Sequence, residues 1–60
     1  MNCKDSNGTN LSIYDAIMYI DNKGNEYEGI ITKLLTNNKI EISCEVGNII
    51  VDASTTFFLP

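Results

Sequence analysis

The sequence predicts a mainly β fold, a small five-stranded barrel with a short helical turn before its first strand. Residues 39–46 alternate apolar and polar side chains with a period of two, which is typical of a half-buried strand. Turn-forming residues, chiefly Asn and Gly, separate runs that favour strands. A chain of 60 residues forms one domain at most. We therefore expect a single domain over 11–60 after a flexible polar tail over 1–10.

The first elements are the least certain part of the pattern. The N-terminal ten residues are rich in Asn, Ser, Gly and Thr and show no apolar period, which is typical of a flexible terminus. Ser12 and Asp15 have the spacing of a capping box, which indicates a helical turn near 12–16. The same stretch also fits a strand, so helix and strand remain alternatives within 12–20. We place the first strand near 17–22.

Four further strands follow, separated by tight turns. We predict them over 26–35, 39–46, 49–52 and 56–59. Gly29 lies inside the second strand, where glycine often marks a bulge or a sharp bend. Gly47-Asn48 has the chemistry of a two-residue hairpin loop. One face of the third strand carries its apolar side chains, Ile40, Ile42, Cys44 and Val46. Closing these strands into a barrel would leave no exposed sheet edge.

The composition limits the classes of partner. The net charge is −4, from eight acidic residues and four lysines, with no arginine. Since phosphate binding depends on clustered Lys and Arg, this charge disfavours nucleic acid and favours a basic or neutral partner. No apolar run approaches the roughly 20 residues of a membrane helix. The N-terminus lacks a signal-peptide pattern, so we expect a cytoplasmic protein. The abundance of Asn, Ile and Lys is typical of a low-GC bacterium or its phage.

The residues that carry catalysis and metal binding are scarce. The chain has no histidine, and its two cysteines, Cys3 and Cys44, are far apart, so we expect no zinc site. Neither cysteine has the neighbouring cation or helix N-terminus that activates a thiol. We therefore predict a non-enzymatic protein with no cofactor and no metal.

Acidic side chains recur on the second and third strands. If the outer faces of these antiparallel strands coincide, four carboxylates gather on one surface, namely Glu26, Glu28, Glu41 and Glu45. Such a surface would dock a basic protein or mimic the phosphates of a nucleic acid. The alternative, which the pattern favours, is ordinary solubilising charge.

Large apolar side chains occupy both faces of the predicted strands. A 60-residue barrel has one interior, so the second set predicts a further buried surface, supplied by self-association or by an unidentified protein partner. The expected anchors are aromatic, because such residues dominate interface energies: Tyr19, Tyr27, Phe57 and Phe58. A bulged strand that turns both sets inward is the alternative.

Two stretches carry a resemblance to a known family. Gly24-Asn25-Glu26-Tyr27-Glu28-Gly29-Ile30-Ile31 has a Gly-x-x-x-x-Gly-x-apolar spacing, and residues 50–60 read as a strand, a short turn and a closing strand. On these motifs, residues 19–60 resemble the Sm-like, strongly bent SH3-type barrel and, within it, the bacterial Hfq pattern. The resemblance implies a five-stranded barrel with a helical turn before its first strand.

The residues that would contact RNA differ from this family's pattern. Hfq-like proteins carry an aromatic-Lys-His motif in the fourth strand, where this chain has Val51, Asp52 and Ala53. The family's acidic residue after the second strand is replaced by Asn37 and Asn38. These asparagines either form the turn or read the edge of a base.

Two functions remain open at this stage. The leading prediction is a binding or adaptor protein that acts through protein–protein contacts as a homo-oligomer, such as a phage or mobile-element protein that modulates a host factor. The alternative is an Sm-like or Hfq-like ring that binds RNA or a small nucleotide. In that ring Tyr27 would stack on a base while Asn37 or Asn38 reads its edge.

Overall fold

The computed structural model describes residues 2–60 and contains seven short strands in two antiparallel sheets. The strands are β1 Cys3–Lys4, β2 Asn10–Leu11, β3 Ala16–Ile20, β4 Glu26–Leu34, β5 Lys39–Cys44, β6 Gly47–Asp52 and β7 Thr56–Phe58. β1 and β2 form a small hairpin, and the other five form one sheet in the order β6-β5-β4-β3-β7. The mainly β class and the five-stranded antiparallel sheet are thus confirmed.

Strand β4 belongs to two ladders. Its first half pairs with β3, from Ile20 opposite Glu26 to Ala16 opposite Ile30, and from Gly29 onward it pairs with β5. Gly29 lies where the ladders overlap, and a Cβ there would stand 3.1 Å from the Ser43 carbonyl oxygen. A side chain at this position would therefore crowd the β5 backbone, which glycine avoids. The irregularity in register falls later in the strand, between Ile31 and Lys33.

The sheet has two edges, β6 and β7. Within residues 2–60 no ladder joins them, so the predicted closed barrel goes further than the observed pairing. A 3₁₀ turn, Ala53–Thr55, links the two strands. Asp52 caps this turn, because its carboxylate accepts the N–H of Ser54 at 3.0 Å.

The core lies on the inner face of the sheet and beneath the small hairpin. Its buried residues are Cys3, Leu11, Ile17, Ile31, Ile40, Ile42, Val51 and Ala53. The predicted alternation of β5 is confirmed where Ile40 and Ile42 are fully buried. Burying one such side chain contributes about 1.5–3 kcal/mol relative to leaving it in water.

The predicted helical turn over 12–16 is wrong. The Asp15 carboxylate does accept the N–H of Ser12 at 2.8 Å, as in a capping box. However, Tyr14 has φ +76°, in the left-handed region, which a right-handed helix excludes. The Tyr14 N–H donates instead to the Ile31 carbonyl at 2.7 Å, which ties the turn to β4. The chain then enters β3 directly, so the strand alternative holds for 16–20.

The predicted hairpin loop at Gly47-Asn48 is displaced by two residues. Both residues lie in β6, opposite Cys44 and Ser43, and the turn consists of Glu45 and Val46. Gly47 has φ +106°, a conformation that glycine adopts readily. The positive φ therefore falls at the first residue of β6 and not within the loop. Val46 is consequently 60% exposed, although its place in the alternation predicted an inward side chain.

The described part of the predicted tail, 2–10, packs against the domain. Cys3 is fully buried, and its thiol donates to the carbonyls of Leu35 and Lys39 at 3.5 and 3.4 Å. The Asn38 amide accepts the N–H of Lys4 at 2.8 Å and donates to the Lys4 carbonyl at 3.1 Å. These partners lie more than 30 positions away along the chain, so no local apolar period reveals them.

The same N-terminal segment covers the outer edge of β7. The Ser6 N–H donates to the Thr56 carbonyl at 2.9 Å. The Phe58 N–H donates to the Asp5 carboxylate at 2.8 Å. A backbone donor and a carboxylate therefore stand where a further strand would pair.

Asp5 is the buried charge of this contact, with 5% of its surface exposed. Its other carboxylate oxygen accepts the N–H groups of Asn7 and Thr9 at 2.9 and 2.8 Å. Burial alone would raise the pKa of Asp5, but the hydrogen bonds from Phe58, Thr9 and Asn7 outweigh it and hold the pKa below its ordinary value. The ionised Asp5 carboxylate therefore holds the N-terminal segment against β7.

Candidate functional site

A groove lies between the end of β3 and strand β6, which stand close without pairing. It encloses about 500 Å³ and is lined by Tyr19, Ile20, Asp21, Asn22, Ile50, Val51, Asp52 and Thr55. β3 and the turn after it supply one wall. The second half of β6 and the 3₁₀ turn supply the other. The groove is therefore built where the open side of the sheet comes closest to closing.

Two aromatic rings stack behind one wall of the groove. Tyr19 and Tyr27 are opposite each other across β3 and β4, with ring centroids 6.0 Å apart and planes 20° apart. Burial raises the pKa of the Tyr27 hydroxyl, and the negative charges of Asp21 and Glu45 raise it further. Tyr27 is therefore a neutral phenol at physiological pH, and Tyr19 offers an aromatic surface to the groove.

The first carboxylate at the rim, Asp21, is held by the turn that follows β3. One oxygen accepts the N–H groups of Lys23 and Asn25 at 2.9 and 2.8 Å, and the other accepts the Asn25 amide at 3.1 Å. These bonds, the backbone N–H of Asn25 first, lower the pKa of Asp21. Gly24, with φ +84°, permits the tight return of the chain. Asp21 is thus a fixed, ionised group at one lip.

The second carboxylate, Asp52, stands on the opposite lip at the end of β6. It accepts the Ser54 hydroxyl at 2.8 Å and forms an ion pair with the Lys39 ammonium at 3.3 Å. The Ser54 hydroxyl is the main cause of the lowered pKa of Asp52. With Asp21, two carboxylates and one ammonium surround the groove, so its net charge is negative.

The predicted aromatic anchors do not form one surface. Tyr19 and Tyr27 meet at the groove, as described above. Phe57 lies opposite Met18 on the outer face of the sheet, whereas Phe58 lies on the inner face beside the N-terminal segment. The structure therefore divides the four residues into one pair and two separate positions.

Part of the predicted acidic surface lies on the outer face of β4. Glu28 is opposite Met18 and Glu26 is opposite Ile20, so both carboxylates flank apolar side chains. Glu45 lies apart from them, in the turn between β5 and β6. These three residues are exposed, as ordinary solubilising charge would be.

The fourth predicted acid, Glu41, is half-buried and bonded to the neighbouring strand. It lies opposite Lys33 in the β4–β5 ladder, and its carboxylate accepts the Thr32 hydroxyl at 2.7 Å. The acids at the groove, Asp21 and Asp52, were not among the predicted site residues. Both precede polar turn sequences in which an Asp side chain caps backbone N–H groups, and this was the available signal.

The two asparagines of the β4–β5 turn have structural roles. Asn37 and Asn38 have φ of +60° and +58°, a conformation that asparagine tolerates better than most residues. The Asn38 amide is engaged by the backbone of Lys4, as described above. These observations favour the turn-forming interpretation over base recognition for Asn38.

Three findings concern metal binding, membrane-spanning helices and similarity to known proteins. Within residues 2–60, no three His, Cys, Asp or Glu side chains cluster closely enough to hold a metal ion. The described part of the chain contains no helix of the length and apolarity needed to cross a bilayer. Comparison with protein-family models, curated proteins and solved structures finds no match. The fold and the groove together define a small antiparallel β domain with an acidic, aromatic-walled cleft.

Proposed function

We propose that this chain is a non-enzymatic module that binds a basic, extended segment of a partner protein in the groove. The observation that carries the proposal is the placement of two ionised carboxylates, Asp21 and Asp52, on opposite lips of a cleft walled by Tyr19. A Lys or Arg side chain lying there would meet an anion on each side and an aromatic face between them.

The charge of the whole chain supports the same choice of partner. A net charge of −4 attracts a basic segment from a distance and raises its rate of association. Exposed ion pairs are individually weak, so the accessible apolar lining, Ile20 and Ile50, supplies the remaining contact. We expect modest affinity that falls as salt is added.

The architecture that we propose is the bent SH3-like or Sm-like type. The strand β4 shared between two ladders and the 3₁₀ turn before the last strand support it. RNA binding is not favoured, because Asp52 stands where the family has a lysine and Asn38 is engaged by Lys4. Cytoplasmic location stays a prediction from the sequence pattern of the N-terminus, and a phage or low-GC bacterial setting stays a prediction from composition.

Self-association is a second candidate, favoured by apolar exposure. Six large hydrophobic side chains are exposed among residues 2–60: Ile13, Tyr14, Ile30, Val46, Ile50 and Phe58. Contact between copies would remove such surface from water. Sedimentation equilibrium from micromolar to millimolar protein tests this candidate, and a monomer mass throughout would end it.

The groove is tested with a fluorescein-labelled heptapeptide of alternating lysine and valine and a matched peptide in which glutamate replaces lysine. Fluorescence anisotropy at low salt should show binding of the lysine peptide alone. Asp21→Asn should weaken it several-fold, because asparagine keeps an oxygen for the turn but removes the charge. The control Glu26→Gln removes an equal charge from the outer face and should have little effect. Equal losses in both variants, or no binding, would refute the proposal.

A further inference from the structure

The two edge strands differ in whether their outward backbone groups are hydrogen-bonded. In β7, the Leu59 N–H donates to the Ala16 carbonyl at 2.9 Å, so the alternation of an antiparallel ladder turns Thr56 and Phe58 outward. The outward Thr56 carbonyl and Phe58 N–H are the groups bonded by Ser6 and Asp5. The N-terminal segment therefore closes this edge.

The same reasoning fixes the direction of the groups in β6. The Ala53 N–H donates to the Asn38 carbonyl at 2.8 Å, just beyond the end of the β5–β6 ladder. Since bonded pairs recur at every second position, the pairs that exchange hydrogen bonds within the ladder are Ile40 with Val51, Ile42 with Ile49, and Cys44 with Gly47. The residues between them turn their N–H and C=O groups away from β5.

The outward residues of β6 are Asn48, Ile50 and Asp52. The Asp52 carbonyl accepts the Thr55 hydroxyl at 2.7 Å. The outward backbone groups of Asn48 and Ile50 have no partner among the described residues. The stretch from Gly47 to Val51 also contains no lysine, no proline and no bulge, which are the usual protections of an open edge.

The open edge of β6 is also a wall of the groove. Ile50, which is 62% exposed, belongs to both. A segment that lies in the groove in an extended conformation therefore runs beside unpaired backbone donors and acceptors. Its side chains alternate in direction, so a basic residue can face the carboxylates while its neighbours face away.

We propose that the basic segment binds as an added strand on β6, pairing with the backbone of Asn48 and Ile50. This inference rests on the proposed function, because the two carboxylates of the groove determine that the bound segment is basic. Main-chain hydrogen bonds supply affinity, and the side chains at alternate positions supply specificity.

Backbone-methylated peptides test the pairing without altering the protein. In an extended strand, alternate N–H groups point to opposite edges, so methylating the lysine nitrogens and methylating the valine nitrogens block different edges. We expect one pattern to weaken binding about tenfold or more, as the loss of two hydrogen bonds implies, and the other to weaken it far less. Equal affinity of both patterns and the parent peptide would overturn strand addition.

A protein variant gives the complementary test. Ile50→Pro removes the outward N–H of β6 but none of the ladder bonds to β5, and the control Ile50→Val keeps that N–H. Folding is checked by circular dichroism. The proline variant should bind the parent peptide about tenfold more weakly than Ile50→Val, which measures the effect of changing the side chain alone; equal affinity of the two variants would count against strand addition. If the proline variant does not fold, the methylated peptides decide the matter.

The failures of the two proposals are distinguishable. If Asp21→Asn weakens binding but neither peptide methylation nor Ile50→Pro changes it, the groove function is supported and strand addition is refuted. Absence of any lysine-peptide binding refutes the groove function and the inference with it. A wild-type dimer that Ile50→Pro converts to a monomer would show that a second copy takes this edge, and would overturn the choice of partner.

Discussion

The two edge strands of the five-stranded sheet differ within residues 2–60: the outward backbone groups of β7 are hydrogen-bonded, and most of those of β6 are not. On β7 the N-terminal segment supplies Ser6 and Asp5 to the outward backbone groups. On β6 the outward groups of Asn48 and Ile50 have no partner among the described residues. The contrast teaches that the polar N-terminus is a structural cover for one edge, and that the uncovered edge is the one that adjoins the groove.

This asymmetry also limits how copies of the chain can assemble. Head-to-tail pairing of sheets joins one edge strand to the opposite edge strand of the next copy, and such contacts generate rings or open fibres. Because the N-terminal segment covers β7, that pairing requires the segment to leave. The closed edge therefore disfavours a ring built by joining β6 to β7.

The largest expected effect comes from removing the carboxylate that closes β7. Asp5→Ala leaves the N–H groups of Phe58, Asn7 and Thr9 without their acceptor in a largely buried place. We expect the free energy of unfolding to fall by about 2–4 kcal/mol, measured by urea denaturation. Asp15→Ala is the matched control, since it removes a carboxylate with one backbone bond in an exposed turn. Equal losses in the two variants would contradict the special role of the closed edge.

Acid should weaken the same contact. The pKa of Asp5 is lower in the folded protein than in the unfolded chain, so its carboxylate stabilises the fold above the unfolded value of about 4. This contribution is lost as pH falls through the folded pKa, and the lowered pKa values of Asp21 and Asp52 act in the same direction. Urea midpoints should decline below about pH 4.

The pH series in Asp5→Asn separates this residue from the other two. The variant should be less stable at neutral pH and should decline less steeply in acid, because it lacks the titrating group. An unchanged slope would assign the acid sensitivity elsewhere.

The attachment of the N-terminal segment can be loosened with a smaller change. Asn38→Gly removes the amide that binds Lys4 while glycine still accepts the positive φ of the turn. We expect a loss of about 1–2 kcal/mol and faster alkylation of the buried Cys3 thiol, followed by peptide mass spectrometry. Asn37→Gly changes the same turn without touching Lys4 and is the control. Identical alkylation rates in both variants would show that the amide contact does not hold the segment.

The smallest effect is expected on the β6 side. Lys39→Met removes the exposed ion pair with Asp52, and such pairs contribute little to stability, so the urea midpoint should hardly move. The groove becomes more negative, however, so the lysine–valine peptide should bind more tightly at low salt. Tighter binding without a stability change would sharpen the contrast between a structural edge and a binding edge.

The local sequence pattern predicted the strands of the main sheet well, but it predicted two turns and the N-terminal segment poorly. The period of two in β5, the turn at residues 22–25 and the strands on either side follow from neighbours in sequence, and they appear in the structure. Tyr14 and Gly47 misled the prediction, because a positive φ at each decides the turn geometry that composition alone leaves open. The buried Cys3 depends on partners in the β4–β5 region, which a local period does not register.

The candidate site was half visible in the sequence. Tyr19 and Tyr27 were predicted as anchors because aromatic side chains stood out on their strands, and they stack at the groove. Asp21 and Asp52 were not predicted, because they lie 31 positions apart in sequence and share no strand. Their proximity arises from the return of β6 toward β3, which only the folded chain establishes.

Gly29 has a consequence for the unfolding of the whole molecule. Strand β4, which contains it, is shared by both halves of the sheet, since Gly29 lies opposite Ile17 in the β3 ladder and opposite Cys44 in the β5 ladder. Neither half can melt while the other keeps its full set of partners. Amide exchange should therefore report one common opening energy on both sides of the glycine, the mark of a single cooperative unit and not of two subdomains.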